Sequence, residues 1–366
     1  MNDEPGMADA DPASAQPNPE PPKPAGPPLP SLDNCAAAIA AGGKTGLEAI
    51  ADLPASLKTA CPELAAILGS SPVKTSLETY ARRDAEAVRQ QTELMREATL
   101  AHLSLLAAGV TSAVILAVTA LRGADSAGQV STITLALGLL TLAFGALAAY
   151  FSFIARDQGR IARWQASRGD AEMARLAVFT TMAARAAEAS PKVALFGLAV
   201  VLRDLLNDQR DYLGRAALRH RKSSETTSRW GGLASALAFI GGSGAIIVSQ
   251  GGAGWTVWIV LAGVVGAAIG AYSANRDALL RDRANADRYE KTRVALDGIA
   301  ARTDEIAGRI AAGAPKALTA FTDTIADLLA TEHKQWQEGA AQAEASLAKL
   351  DEQLEQLGKD KASGSA

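Results

Sequence analysis

The chain of 366 residues is poor in the side chains from which catalytic and metal sites are built. It has three histidines, His102, His220 and His333, far apart from one another, and two cysteines, Cys35 and Cys61. None of these follows a metal-ligand spacing, and the chain has no nucleophile elbow and no glycine-rich dinucleotide turn. Gly43-Lys44-Thr45 has the form of the end of a phosphate-binding loop. However, Ala38 stands where that loop needs its leading glycine, and no β-branched strand precedes it. The chain is therefore expected not to be an enzyme and to need neither cofactor nor metal. The formal net charge of -3 gives no general attraction to nucleic acid.

Charge itself is missing over long stretches. From Trp230 to Asn275, 46 residues pass without an Asp, Glu, Lys or Arg. Leu103 to Ala155 carries only Arg122 and Asp125, both in a short gap between two apolar runs. Each block divides in two, giving apolar segments at 100–121, 130–153, 230–249 and 255–272. At about 1.5 Å per residue, each is long enough to cross a hydrocarbon core of roughly 30 Å. Buried helices of soluble proteins rarely stay apolar on every face for that length, so the lipid bilayer is the expected partner.

The basic residues set an orientation. Arg82, Arg83, Arg89 and Arg96 precede the first segment, and fourteen Lys or Arg lie between the two blocks. Arg276, Arg281, Arg283, Arg288, Lys291 and Arg293 follow the last segment, whereas the gaps inside the blocks hold Arg122 alone. By the positive-inside rule, both termini and the middle segment are cytoplasmic in a bacterial inner membrane. Tyr150, Trp230, Trp255 and Tyr272 fall at segment ends, where aromatic anchors belong. In that compartment Cys35 and Cys61 are expected to be reduced core residues.

The two halves look like copies. At an offset of 120, Arg156-Asp157 meets Arg276-Asp277, Arg163 meets Arg283, Arg168 meets Arg288 and Leu176 meets Leu296. Ahead of each block, Tyr80-x-x-Arg83 resembles Tyr212-x-x-Arg215, and these four residues are expected to dock the lead-in helices. Chance alignment of Arg- and Ala-rich helices is the competing account. Ser71-Pro72 and Ser190-Pro191 mark the expected starts of the two units.

The resulting organisation is a Pro-rich disordered arm at 1–30, a small helical region at 31–70, repeats at 71–189 and 190–312, a C-terminal helix at 313–360 and a tail at 361–366. The arm holds ten of the fifteen prolines and lacks the apolar residues to offset the entropy of ordering. It also lacks a secretory signal.

Small residues recur four apart at Ala234, Ala238 and Gly242 and at Ala262, Gly266 and Gly270, a spacing that lets helix backbones approach closely in lipid. The segments hold no ionisable group at midplane, which argues against a proton- or ion-coupled carrier. Any conduit would be lined by residues such as Thr111, Thr134, Thr141 and Ser243. Near the end, Ile325, Leu329, Trp336, Ala340, Ala343, Leu347, Leu350, Leu354 and Leu357 follow 4-3 spacing. That fits either a coiled coil driving homo-oligomerisation or an amphipathic helix folded back on the cytoplasmic bundle. Val193 to Leu202 is apolar but too short to span.

Tyr80-Ala-Arg-Arg-Asp84-Ala-Glu-Ala ahead of a two-segment hairpin and an Arg-rich helix, with Thr331-Glu332-His333-Lys334-Gln335-Trp336 later, resembles the SLATT group. These are SMODS- and SLOG-associating two-transmembrane effector proteins of bacteria. The resemblance implies an all-α membrane effector of a conflict or stress system, with a cytoplasmic sensor or signalling partner triggering assembly that opens or damages the membrane. Here the hairpin is doubled and no fused sensor domain accompanies it. A non-conducting scaffold that organises partners through the coiled coil is the alternative.

Overall fold

The computed structural model describes residues 28–40, 44–122, 132–155, 158–248, 253–335 and 337–338, and every regular element among them is helical. The Pro-rich arm, the two gaps inside the apolar blocks, and the coiled-coil positions Trp336, Ala340, Ala343, Leu347, Leu350, Leu354 and Leu357 lie outside the described residues.

Four short helices come first: α1 Leu32–Ala40, α2 Gly46–Ala51, α3 Ala55–Ala60 and α4 Pro62–Leu68. The long helix α5, Ser71–Arg122, then runs for 52 residues, about 78 Å at about 1.5 Å per residue. The lead-in helix and the first apolar segment are therefore one rod. No glycine or proline falls between Pro72 and Gly109 to break it. Helix α6, Thr132–Ala155, returns along α5, and α7, Gln158–Ala189, continues down the charged half of α5.

The second half repeats that order. Helix α8, Pro191–Val200, passes through a π-turn at Val201–Asn207 into α9, Asp208–Val248, again a single helix joining a charged half to an apolar half. Helix α10, Ala253–Leu280, returns along α9 and also packs on α5; α11, Asp282–Ala300, packs on the charged half of α9. Helix α12, Thr303–Ala311, and a helix at 316–335, here α13, complete the described chain. Three helices are long and apolar enough to cross a membrane, over Ser71–Val118, Thr132–Phe151 and Val257–Ala274. Their side chains are largely uncovered: Leu139, Leu142 and Phe153 of α6 are 60%, 71% and 81% exposed.

The hydrophobic core sits at the charged end, away from the apolar rods. Helix α8 is its centre. Ser190 caps it by accepting from the Val193 amide at 3.3 Å, and Pro191 occupies its first turn. Apolar on all sides, α8 is buried from Val193 through Val200 rather than lying on a surface. Around it pack Cys35, Ile39, Leu64, Phe179, Leu296 and Leu318. Ile325 and Leu329 join the same core, so the first two positions of the 4-3 pattern are used inside the chain. This core unites the 31–70 region with α7, α8 and α13, segments far apart in sequence, because none of them can bury its apolar residues alone.

The π-turn brings Asp204 inward, where its carboxylate is 1% exposed. It accepts from the Gly46 amide at 3.1 Å and pairs with Arg203 at 2.7 Å; Arg203 also donates to the Ile39 carbonyl. Burial raises the Asp204 pKa, and the Arg203 contact works against that rise. Gly46 has φ of +66°, a conformation that favours glycine, and its open α-carbon faces the Asp208 carboxylate. The Lys44 of the incomplete loop motif pairs instead with Asp52 at 2.8 Å on the surface. Cys35 and Cys61 are free thiols buried in the core. Burial pushes the Cys35 thiol up to about 11, which makes it a packing residue rather than a nucleophile.

Candidate functional site at the helix seam and the charged collar

Two places concentrate the residues singled out by sequence: a seam between α9 and α10, and a collar of paired charges where the rods enter the core.

At the seam the helices run antiparallel. A Cβ on Gly266 would lie 2.7 Å from the Ala238 amide nitrogen and 2.8 Å from the Ala234 carbonyl oxygen; one on Gly270 would lie 3.6 Å from the Ala234 Cβ. The tightest approach is at Gly241, where a Cβ would lie 2.1 Å from the Gly263 Cα. Contact thus follows Ala234, Ala238 and Gly241 on one helix and Gly263, Gly266 and Gly270 on the other. Gly263 and Gly241 were missed because a strict four-residue row was read where the contact alternates three and four. Ala262 lies beside this line, and the side-chain surroundings of Gly242 and Trp255 lie outside the description. A second, looser contact joins the halves: a Cβ on Gly109 of α5 would sit 2.7 Å from the Ala268 Cβ. Between α5 and α6, Thr141 donates to Thr111 at 2.9 Å, so two of the polar residues considered as conduit lining bond to each other.

The collar holds α5 against α7 by ion pairs. Arg160 reaches Glu97 at 2.8 Å and Glu93 at 3.5 Å, Arg168 reaches Asp84 at 2.8 Å, and Arg83 reaches Asp170 at 3.4 Å. Glu172 binds both Arg168 and Arg175 at 2.6 Å. Of the four expected docking residues, Arg83 thus makes a cross-helix pair, and Tyr80 is half-buried, its phenol raised chiefly by desolvation. Arg215 is exposed on α9, whereas Tyr212, 38% exposed, lies near Arg168 of α7 and Tyr289 of α11. The interface aromatics divide likewise: Tyr150 and Trp230 are 59% and 52% exposed, whereas Tyr272 meets the edge of His102 with centroids 6.0 Å apart.

Helix α13 closes the collar. Glu332 accepts from Arg288 at 2.9 Å, and the Arg288 guanidinium lies 5.2 Å from the Tyr289 ring centre. Burial raises the Glu332 carboxyl and the Tyr289 phenol, the latter to about 12, and lowers His333. His333 approaches α7 where Gly169 leaves room: a Cβ there would sit 3.1 Å from His333 Nε2. The fold places His333 against α7, half-buried.

One element had no sequence signal. Between α10 and α11 the chain bends at Arg281, whose φ of 46° and ψ of 40° are left-handed. Asp282, the next residue, is 4% exposed and meets His220 Nδ1 of α9 at 2.6 Å. The His220 ring also leans on Tyr289, with centroids 5.5 Å apart. A non-glycine residue in this region costs roughly 1–2 kcal/mol, so the Asp282–His220 contact holds a bend the backbone does not favour.

Among the described residues no cluster of His, Cys, Asp and Glu has the arrangement of a metal site. No family model matches the chain, and comparisons with curated proteins and with solved structures likewise return no match.

Proposed function

We propose that this chain is a four-span bacterial inner-membrane protein whose cytoplasmic core governs the packing of its spans, acting as a membrane-perturbing effector when a cytoplasmic partner engages that core. The observation that carries the reading is the continuity of α5 and α9. Each passes from the collar into an apolar half without a break, so displacement of its charged end must tilt or turn its apolar end. Uncharged, lipid-compatible faces on α6 and α10 and the basic flanks support the membrane setting and the cytoplasmic orientation of core and termini. The resemblance to the SLATT group supplies the effector role and the expectation of a homo-oligomer. Duplication of the unit is supported by the recurring order of long helix, return helix and trailing helix, and by helix starts at Ser71 and Pro191.

The test is induction of the chain in bacteria, alone and with products of neighbouring genes, while membrane potential and dye entry are followed. Depolarisation in at least one combination is expected; full potential in all of them, with the chain in the membrane, sinks the effector reading.

A second reading, a non-conducting scaffold, is favoured by the α9–α10 seam. Backbones in contact at Gly241 and Gly263 leave no lumen between that pair. Retained potential together with partner recruitment that depends on residues 340–366 would select it.

A further inference from the structure

The collar arginines Arg83, Arg160, Arg168, Arg175 and Arg288 each have a carboxylate, whereas among the described residues Arg276 has none. It stands on α10 two residues beyond the apolar stretch that ends at Ala274. Among the described residues its Nε is buried without a hydrogen-bond partner, and Nη1 makes a long contact to the Tyr272 hydroxyl at 3.5 Å. One turn back on the same face, Ser273 is 5% exposed and its hydroxyl is likewise buried and unpartnered. At the start of α7, by contrast, Arg160 has Glu97 and Glu93. Arg276 is partly buried, with its Nε closed off from solvent, and a buried hydroxyl without a partner costs about 1–3 kcal/mol. Side chains on a helix tilt toward its N-terminus, so Arg276 leans back toward Ser273 and the apolar boundary.

We propose that Arg276, Ser273 and Tyr272 bind a phosphate group at the end of the spans. A phosphate offers oxygens to accept from the guanidinium fork and from both hydroxyls, and supplies the missing negative charge. Because His102 of α5 packs edge-on against Tyr272, the bound group sits where the two halves of the chain meet. The phosphate of an anionic phospholipid reaches this depth from the bilayer, and inorganic phosphate reaches it from water. The lipid source rests on the membrane reading above.

The experiment uses the full chain purified in detergent, titrated separately with phosphatidylglycerol, diacylglycerol and inorganic phosphate. Bound ligand is counted by native mass spectrometry, and stability is followed by thermal unfolding. Saturable binding of phosphatidylglycerol but not diacylglycerol is expected, weakened at least tenfold by Arg276→Gln and about threefold by Ser273→Ala. Arg229→Gln, at an exposed basic residue, is expected to leave it within twofold. Inorganic phosphate binding with the same pattern keeps the site and makes the occupant a soluble anion. Equal sensitivity to Arg276→Gln and Arg229→Gln overturns the site in favour of diffuse surface charge, and binding of neither ligand overturns it outright. Should Arg276→Gln fail to fold, Arg276→Met serves: with the site real, it melts higher than the parent without ligand and loses the ligand-induced rise. Carbonate extraction of membranes tests the membrane reading separately, since a chain released by carbonate could still bind inorganic phosphate.

Discussion

Replacing Gly241 by alanine adds one methyl group at the closest approach of two helices. That carbon would meet the Gly263 Cα at 2.1 Å, its amide nitrogen at 2.5 Å and the Ile259 carbonyl at 3.0 Å. Carbon pairs rest at about 3.5–4.0 Å, so α9 and α10 must part by about 1.5 Å or slide along each other. All three atoms are backbone, which cannot rotate away as a side chain does. Overpacking of this kind costs about 1–3 kcal/mol; alanine's better helix propensity returns up to about 1 kcal/mol. Gly232→Ala lies on the same helix with nothing within 4 Å of the added carbon, and it collects the propensity gain without the clash. The two substitutions should therefore shift thermal stability in opposite directions, by a difference of about 1–3 kcal/mol. Local separation is read by a disulfide between cysteines at Ala234 and Gly270, whose Cβ positions lie 3.6 Å apart, within the range for a disulfide. Gly241→Ala should slow that crosslink and Gly232→Ala should not. Equal crosslinking rates and a parental melting point in Gly241→Ala would refute the seam as a contact that stabilises the fold.

Three further outcomes follow from the core and the collar. Gly197→Val should unfold the core, because even a Cβ at that site meets Leu318 Cδ2 at 2.9 Å and Ala186 Cβ at 3.2 Å, and circular dichroism with limited proteolysis would report it. Asp282→Asn and His220→Ala should each lower stability by about 1–3 kcal/mol and be non-additive in the double variant, since both remove one contact; additive losses would disconnect the pair. His333 has a folded pKa depressed by burial, so its stabilising contribution is present above its unfolded pKa and is lost as pH falls through the folded one. Glu332, raised by burial, acts in the opposite sense, gaining as pH falls. The parent should therefore lose more stability than His333→Gln between about pH 7.5 and about pH 5.5, with α13 docking followed by proteolysis; parallel pH profiles would contradict it.

The apolar character of α6 and of the Val257–Ala274 stretch of α10 was legible because an absence of charge over so many consecutive residues is a property of the chain itself. The length of Val193–Leu202 ruled out a span but left packing against helices or a place at the membrane surface both open; the fold buries Val193–Val200. The continuity of α5 was not legible, since a change from charged to apolar composition reads as a boundary, yet a helix ends only where its hydrogen bonding fails and nothing between Pro72 and Gly109 makes it fail. Gly241 and Gly263 escaped because the helix period lies between three and four residues, so a contact line drifts across any fixed spacing. The Arg281 bend has no signal, as the left-handed residue is an arginine rather than a glycine. Asp282 and His220 come together from elements 62 positions apart, a separation no local pattern encodes.

The joined core also sets an order of events during synthesis. Ile39 and Leu64 near the start of the chain are completed by Leu318 and Ile325 close to its end, and every apolar rod is threaded between them. All of α5 to α10 must therefore be synthesised before the early helices find their last neighbours. Until then α8, with no polar face, stands open to water. Truncation before α13 should therefore leave α8 exposed and protease-sensitive rather than yield a smaller folded protein.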